Sequence, residues 1–486
     1  MNKPIRTMAL FCLTLFLALL LNATYLQYVQ AGELNQRSEN RRVVQAAFSR
    51  ERGAILVGRT PVAESVPSQD KYAFQRTYPE PFKYAHLTGV FSFYNQTGIE
   101  RAQNEVLSGA DSRLFVNRLV DLLKNDAPKG GHVELTLNPD AQDAAVEGLR
   151  ALGDGVQGAV VAIEPSTGKV LAMASSPSFD PNKLASHDLD SALNDAKALA
   201  ADESQPLLNR AIQTTLPPGS TFKLVTAAAA IESGKYDANS MVPGGSSFDL
   251  PQSDKTIGNH DGGNCGGDKI SLTQALAVSC NVTFLSLADE LGQDKLREMA
   301  EKFGFNSVPM EDLPLVAPSR FPTSMDRPQT AMSGIGQFDV AATPLQMAMV
   351  AAAIANGGQL MRPYVVESVQ SPTYSVLDQT QEEVLSTPIS SGTARELTDM
   401  MVATVNTGTA GAARIDGVEV AGKTGTAQAG EGRPPYAWFV SFAPADDPQV
   451  AVAVMVESSD TDPDEIAGGR LGAPIAKAVM EAVIRP

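Results

Sequence analysis

The feature that most constrains how this chain can fold is an almost unbroken apolar run from Met8 to Leu21, continuing through Ala23, Tyr25 and Leu26 to Val29. Its length is about that of one bilayer crossing. Lys3 and Arg6 precede it and Glu33 is the first charge beyond it, so the expected topology is single-pass, with residues 1–30 as cytoplasmic tip and anchor and the rest outside the cell membrane. A cleaved signal peptide is the alternative. Tyr25, Gln27, Tyr28 and Gln30 make a poor small-residue cleavage site, which favours an uncleaved anchor. The 486 residues, 43% hydrophobic and 19% charged, otherwise have the composition of globular protein, and their number suits two domains.

Charge and cysteines narrow the function. A formal charge of -17 with no Lys or Arg run argues against a nucleic-acid partner. Cys12 lies in the anchor, which leaves Cys265 and Cys280 in the exported part. A bridge between them would close a loop worth on the order of 3 kcal/mol in the chain-entropy model. Two separate buried thiols would fit equally well. There is no Cys-x-x-Cys pair, and His86, His132, His187 and His260 are scattered, so neither a metal nor another cofactor is expected.

Residues 31–154 are mixed in pattern: an Arg-rich stretch, an extended segment opened by Arg52, Gly53 and Ile55, a Pro-rich turn at Tyr78 to Phe82, and a helical run near Asp111 to Lys124. With no obvious chemistry, this part is expected to be an accessory (pedestal or dimerisation) domain that holds the rest away from the membrane. From residue 155 the pattern changes. Val160, Val161 and Ile163, then Val170, Leu171 and Met173, predict a hairpin around the turn formers Pro165 to Gly168. "VEVAGKTGTAQAG", "YAWFVSFAP" and "QVAVAVMVE" predict three more strands, and Ile475, Val479 and Val483 a final helix. Hairpin, long helical insert, three strands and helix, in that order, predict an α+β domain over 155–486 with a mainly antiparallel sheet flanked by helices.

The chemistry is expected in that domain. In "LPPGSTFKLVTAAAAIESG", Ser220 falls at the first turn of an apolar helix, and Lys223 projects from the same face, with its amine expected within reach of the Ser220 hydroxyl. The helix N-terminus favours an alkoxide, and an apolar setting lowers the lysine pKa. Ser-x-x-Lys alone says little, because Ser68 to Lys71 and Ser166 to Lys169 repeat it in a polar loop and a hairpin turn. Ser279, Cys280 and Asn281 form a polar break between two apolar helices, although Ser38 to Asn40 repeats Ser-x-Asn. Lys423, Thr424, Gly425 and Thr426 lie on a predicted strand, where a mid-strand Gly lets a substrate backbone approach closely.

Together and in this order, the three motifs resemble the signature of penicillin-binding proteins and related serine β-lactamases. The flanks "LPPGSTFK", "GKTGTAQ", "YAWFVSFAP" and "GIGQFDVAATPLQMAMVAAAIANGG", with "RERGAI" and "LTLNPDAQDAA" upstream, are similar to class B penicillin-binding transpeptidases, the actinobacterial penicillin-binding protein A group in particular. The resemblance is good from about Gly158 onward and thin between Thr60 and Lys129. It implies a peptidoglycan D,D-transpeptidase of penicillin-binding, β-lactamase-like fold. The residues matching its motifs are Ser220 as nucleophile, Lys223 as base, Ser279 as proton relay and Asn281 as peptide holder. Lys423, Thr424, Gly425 and Thr426 form the carboxylate-binding strand, and the N–H groups of Ser220 and Thr426 the oxyanion hole. Stem peptides ending in D-Ala-D-Ala and β-lactams are the expected ligands, with a separate glycosyltransferase as partner. A D,D-carboxypeptidase, a β-lactamase and a non-catalytic penicillin-binding scaffold or sensor are the rival readings.

Overall fold

The computed structural model describes residues 3–30, 34, 48–124, 129–260, 262–429, 433–459, 461 and 466–485. The apolar run forms α1 (Lys3–Thr24), prolonged by a π-helical turn to Val29, and none of its side chains is buried. The Ser38 to Asn40 repeat lies outside the described residues.

Beyond the anchor, β1 (Ile55–Val57), β2 (Thr60–Pro67) and β3 (Phe74–Thr77) run antiparallel in turn. The Pro-rich segment expected as a turn starts a helix, Pro81–Thr88, because Pro81 sits in its first turn, where the missing N–H has no helical partner to lose. Asp111 caps the turn Ser112–Leu114 by accepting from the Arg113 N–H, and α2 (Phe115–Lys124) follows. β4 (His132–Leu135) then pairs parallel with β1.

The second body begins with α3 (Pro139–Arg150), capped by Asn138, and the predicted hairpin, β5 (Gln157–Ile163) and β6 (Val170–Ser176). Three buried helices follow: α4 (Lys223–Glu232), α5 (Asn281–Leu291) and α6 (Pro344–Ala355). The chain next contributes β7 (Val366–Gln370) and β8 (Val376–Gln379) to the first sheet, whose order is β8-β7-β4-β1-β2-β3. That sheet therefore crosses the 154/155 division expected from sequence. After α7 (Ser391–Asn406) come β9 (Ala421–Ala427), β10 (Tyr436–Ala443) and β11 (Val450–Ser458), then α8 (Ala473–Ile484).

The resulting five-stranded sheet, β9-β10-β11-β5-β6, is antiparallel throughout. Alternation explains why it stands upright between helices. Val161, Ala453 and Val440 share a core with Met347 and Val350 of α6, whereas Val160, Val454 and Phe439 share one with Leu149 of α3 and Val479 of α8. Covered on both faces, these strands read as continuous apolar runs. β9 is an edge strand, and its outer edge borders the site.

Candidate active site

Ser220 lies in a 3-10 turn, Gly219–Phe222, that leads directly into α4. The turn is pressed against β9. A side chain at Gly219, where φ is 54°, would come within 2.6 Å of the Thr426 carbonyl, and one at Gly425 within 2.9 Å of Thr221 Cγ2. Gly336, with φ of 68°, closes the other side, its carbonyl accepting the Gly219 N–H at 3.1 Å. Three glycines thus let three backbones converge on the serine. Ser220 itself stays half-exposed.

Lys223 opens α4 and is fully buried. The sequence placed its amine against Ser220, but its hydrogen bonds go elsewhere: to the Ser279 carbonyl at 2.7 Å, Asn281 Oδ1 at 2.7 Å and Ser279 Oγ at 3.3 Å. The reason is local. Ser279 has φ of 61°, a left-handed conformation that ends the helix Leu272–Ala277, and its carbonyl finds its partner in the lysine. From β9, Lys423 Nζ donates to Ser279 Oγ at 2.9 Å and to the Thr424 carbonyl at 2.9 Å. Ser279 Oγ therefore bridges two buried lysines.

Burial dominates their electrostatics. It pushes Lys423 down from 10.5 to about 7, and pushes Lys223 well below its ordinary value, with the Lys423 charge adding to the effect. Two ammonium groups on one hydroxyl, away from water, repel, so the neutral form of Lys223 is favoured. A neutral amine has a lone pair, the requirement for a base.

Around this centre lie residues that the motifs did not point to. Asn259 Oδ1 accepts from the N–H groups of Asn281 and Val282 at 2.9 and 3.3 Å, so it caps α5 from a distant loop, while the N-cap residue Cys280 makes no side-chain cap of its own. Asn281 Nδ2 in turn donates to the Gly258 carbonyl at 3.1 Å. Cys265 and Cys280 are joined in a disulfide, which ties the same loop to the Ser279 to Asn281 break. Thr409 Oγ1 lies 2.6 Å from Thr424 Oγ1 and adds a hydroxyl beside β9. A hydrogen-bonding cap 22 residues upstream leaves no local sequence signal, and Thr409 sits in an ordinary Gly-Thr loop. The other two Ser-x-x-Lys copies are apart from all this: Lys71 lies over the Tyr72 ring, and Lys169 pairs with Glu367.

Comparison with known proteins returns a coherent picture. The family model described as penicillin binding protein transpeptidase domain matches residues 158–481, and the one described as penicillin binding protein A dimerisation domain matches 52–133. The chain is 44% identical over its full length to the peptidoglycan D,D-transpeptidase PbpA of Mycolicibacterium smegmatis, covering 99% of that protein. It is 41% identical to the protein of that name from Mycobacterium tuberculosis, again over 100% of this chain and 99% of the other. The ceftriaxone acyl-enzyme of penicillin-binding protein A from M. tuberculosis superposes with a TM-score of 0.87 at 41% identity, over 91% of this chain and 100% of that one. The penicillin G acyl-enzyme gives 0.84 at 42% identity, over 90% and 100%.

Proposed function

The chain belongs to the penicillin-binding protein transpeptidases and is a serine-type peptidoglycan D,D-transpeptidase and β-lactam target, and from that premise we propose that Ser220 is its nucleophile and that Lys223, Ser279 and Lys423 move the protons. Ser220 Oγ attacks the carbonyl of the penultimate D-Ala of a donor stem peptide. Its proton passes to neutral Lys223, and the N–H groups of Ser220 and Thr426 face the oxyanion as it forms. When the C–N bond breaks, Ser279, held between both lysines, hands a proton to the departing D-Ala amine. An amine of a second stem peptide then attacks the ester and restores Ser220.

Binding follows from the same geometry. β9 is an edge strand, so its outer edge is where an extended peptide can pair. The donor's terminal carboxylate meets the Lys423 charge and the hydroxyls of Thr424 and Thr426, with Thr409 holding Thr424 in position. The Asn281 side-chain amide holds the peptide backbone. Penicillin, which imitates the D-Ala-D-Ala end, stops at the acyl-enzyme on Ser220.

We place the catalytic body outside the membrane, with α1 as a single-pass anchor and its Lys3 and Arg6 end in the cytoplasm. The first sheet, to which β7 and β8 return, acts as the accessory domain, and the body that begins with α3 acts as the transpeptidase domain, which departs from the 154/155 division expected from sequence. Cross-linking needs glycan strands already polymerised, so the partner this activity calls for is a separate glycosyltransferase.

The observation that carries the mechanism is the hydrogen-bonded chain Lys423–Ser279–Lys223 beside the Ser220 turn. Its test is product analysis with a D-Ala-D-Ala stem peptide and an amine acceptor. Cross-linked dimer that disappears in Ser279→Ala, together with slower D-Ala release, is expected. Hydrolysed donor as the sole product at saturating acceptor would make the enzyme a carboxypeptidase instead.

A further inference from the structure

Among the described side chains of helix α2, the large apolar ones are those that face water. Phe115, Leu119 and Leu123, four residues apart and so on one stripe, are 61%, 46% and 79% exposed. Asn117 and Arg118 are half-buried, and Arg118 donates to the Ala110 carbonyl at 2.9 Å. A soluble surface helix does the reverse and buries its apolar stripe. Three large apolar side chains on one face of a ten-residue helix require a cover.

The helix's place in the chain says which cover. Lys129, five residues past Lys124, pairs with Glu51 at 2.8 Å, and the Gly130 N–H donates to the Glu51 carbonyl at 2.9 Å. Glu51 stands where the chain from α1 enters the domain. Five residues span at most about 18 Å, so the end of α2 stays close to that entry point. Charge agrees: Arg113 is already paired with Asp111 and Asp378, and within α2 itself Arg118 and Lys124 against Asp121 give two minus one, +1, in a chain whose total is -17. A second copy of the chain is a poor cover for this stripe alone. A ten-residue helix is about 15 Å long, so the stripe offers roughly 300 Å², against the roughly 800 Å² that each partner brings to a stable interface. A bilayer surface has no such area requirement when the chain is already tethered to it.

We propose that α2 lies in the interface of the membrane that holds α1, with Phe115, Leu119 and Leu123 among the headgroups and upper acyl chains and Arg118 and Lys124 at anionic phosphates. The accessory domain is thereby a second, reversible contact that sets the tilt of the catalytic body. This rests on α1 being a membrane anchor.

The full chain carrying Cys12→Ser and Leu123→Cys is labelled with an environment-sensitive NBD probe and reconstituted into phosphatidylglycerol–phosphatidylethanolamine vesicles. Expected are a blue-shifted emission and quenching by nitroxide-labelled lipids, while a probe at Val308→Cys, 52% exposed on the catalytic body, is not quenched. Adding Phe115→Ser and Leu119→Ser should abolish quenching at position 123, with the protein still floating with the vesicles and still taking up penicillin, which shows an intact fold. A position-123 probe that lipids do not quench, in protein that floats, overturns the proposal. So does a blue shift that follows protein density rather than the lipid quencher, which would assign the stripe to a second copy. Protein that does not float removes the anchor, and this contact with it.

Discussion

Lys223 and Lys423 share one hydroxyl, and the proposed mechanism asks opposite things of them in acylation: a lone pair on the first and a charge on the second. Burial and the Lys423 charge favour the neutral form of Lys223, while burial alone brings Lys423 down to about 7. The pH profile of penicillin acylation in the free enzyme is therefore expected to fall on the acid side as Lys223 gains a proton, and to start falling on the alkaline side near pH 7 as Lys423 loses one. Lys423→Arg should move the alkaline limb upward even if it slows the reaction, and an unmoved limb would assign it to another group. Asn259 is a positioning residue at the same scale. Replacing it by Ala removes the remote cap of α5, at a cost of about 1 kcal/mol of stability, and lets Ser279 and Asn281 drift. The expected result is a fall in kcat larger than the change in KM, with partial recovery in Asn259→Asp, and a purely structural role would leave kinetics intact in the folded fraction. The motif residues were legible because each motif joins side chains that are neighbours along one element. The link from Lys223 to Ser279 was not, because it depends on the left-handed φ at Ser279, which no spacing rule indicates.

At the scale of elements, the predicted strands and the final helix emerged where a continuous apolar run or helical spacing was strong, as in β5, β11 and α8. The Pro81 segment misled because proline is as much at home in a first helical turn as in a loop. The convergence of the Ser220 turn, β9 and the Gly336 loop was hidden for a different reason: closeness between backbones leaves only scattered glycines in the sequence. It can be tested directly. A methyl at Gly336 would sit 2.2 Å from the Gly219 carbonyl in a φ that disfavours side chains, so Gly336→Ala should sharply slow acylation while far-UV circular dichroism stays close to native. The disulfide acts on the neighbouring loop. Replacing Cys265 and Cys280 together by Ser should lower stability by about 3 kcal/mol, read as an earlier thermal transition, if the chain-entropy account applies.

Across the whole molecule, the accessory and catalytic parts share structure rather than a hinge alone. β7 from the later part pairs with β4, Gln75 Nε2 donates to the Ala185 carbonyl, and Asn182 Oδ1 accepts the Tyr78 N–H. Behind this seam, buried Glu100 accepts from Arg52 and Arg76, each at 2.6 Å; burial raises its pKa, but the two guanidinium groups more than offset that and keep it ionised. Glu100→Gln would leave two cations buried without their counter-charge, and a loss of roughly 3–5 kcal/mol is expected from such a broken network, visible as a lowered midpoint in denaturant. None of this long-range pairing could be read from a chain whose accessory part carries no chemistry of its own. The central claim concerns Ser220, and intact-mass analysis after penicillin treatment meets it most directly. Wild type should gain the mass of one penicillin and Ser220→Ala none, whereas an adduct of equal extent on both proteins would contradict the assignment of the nucleophile.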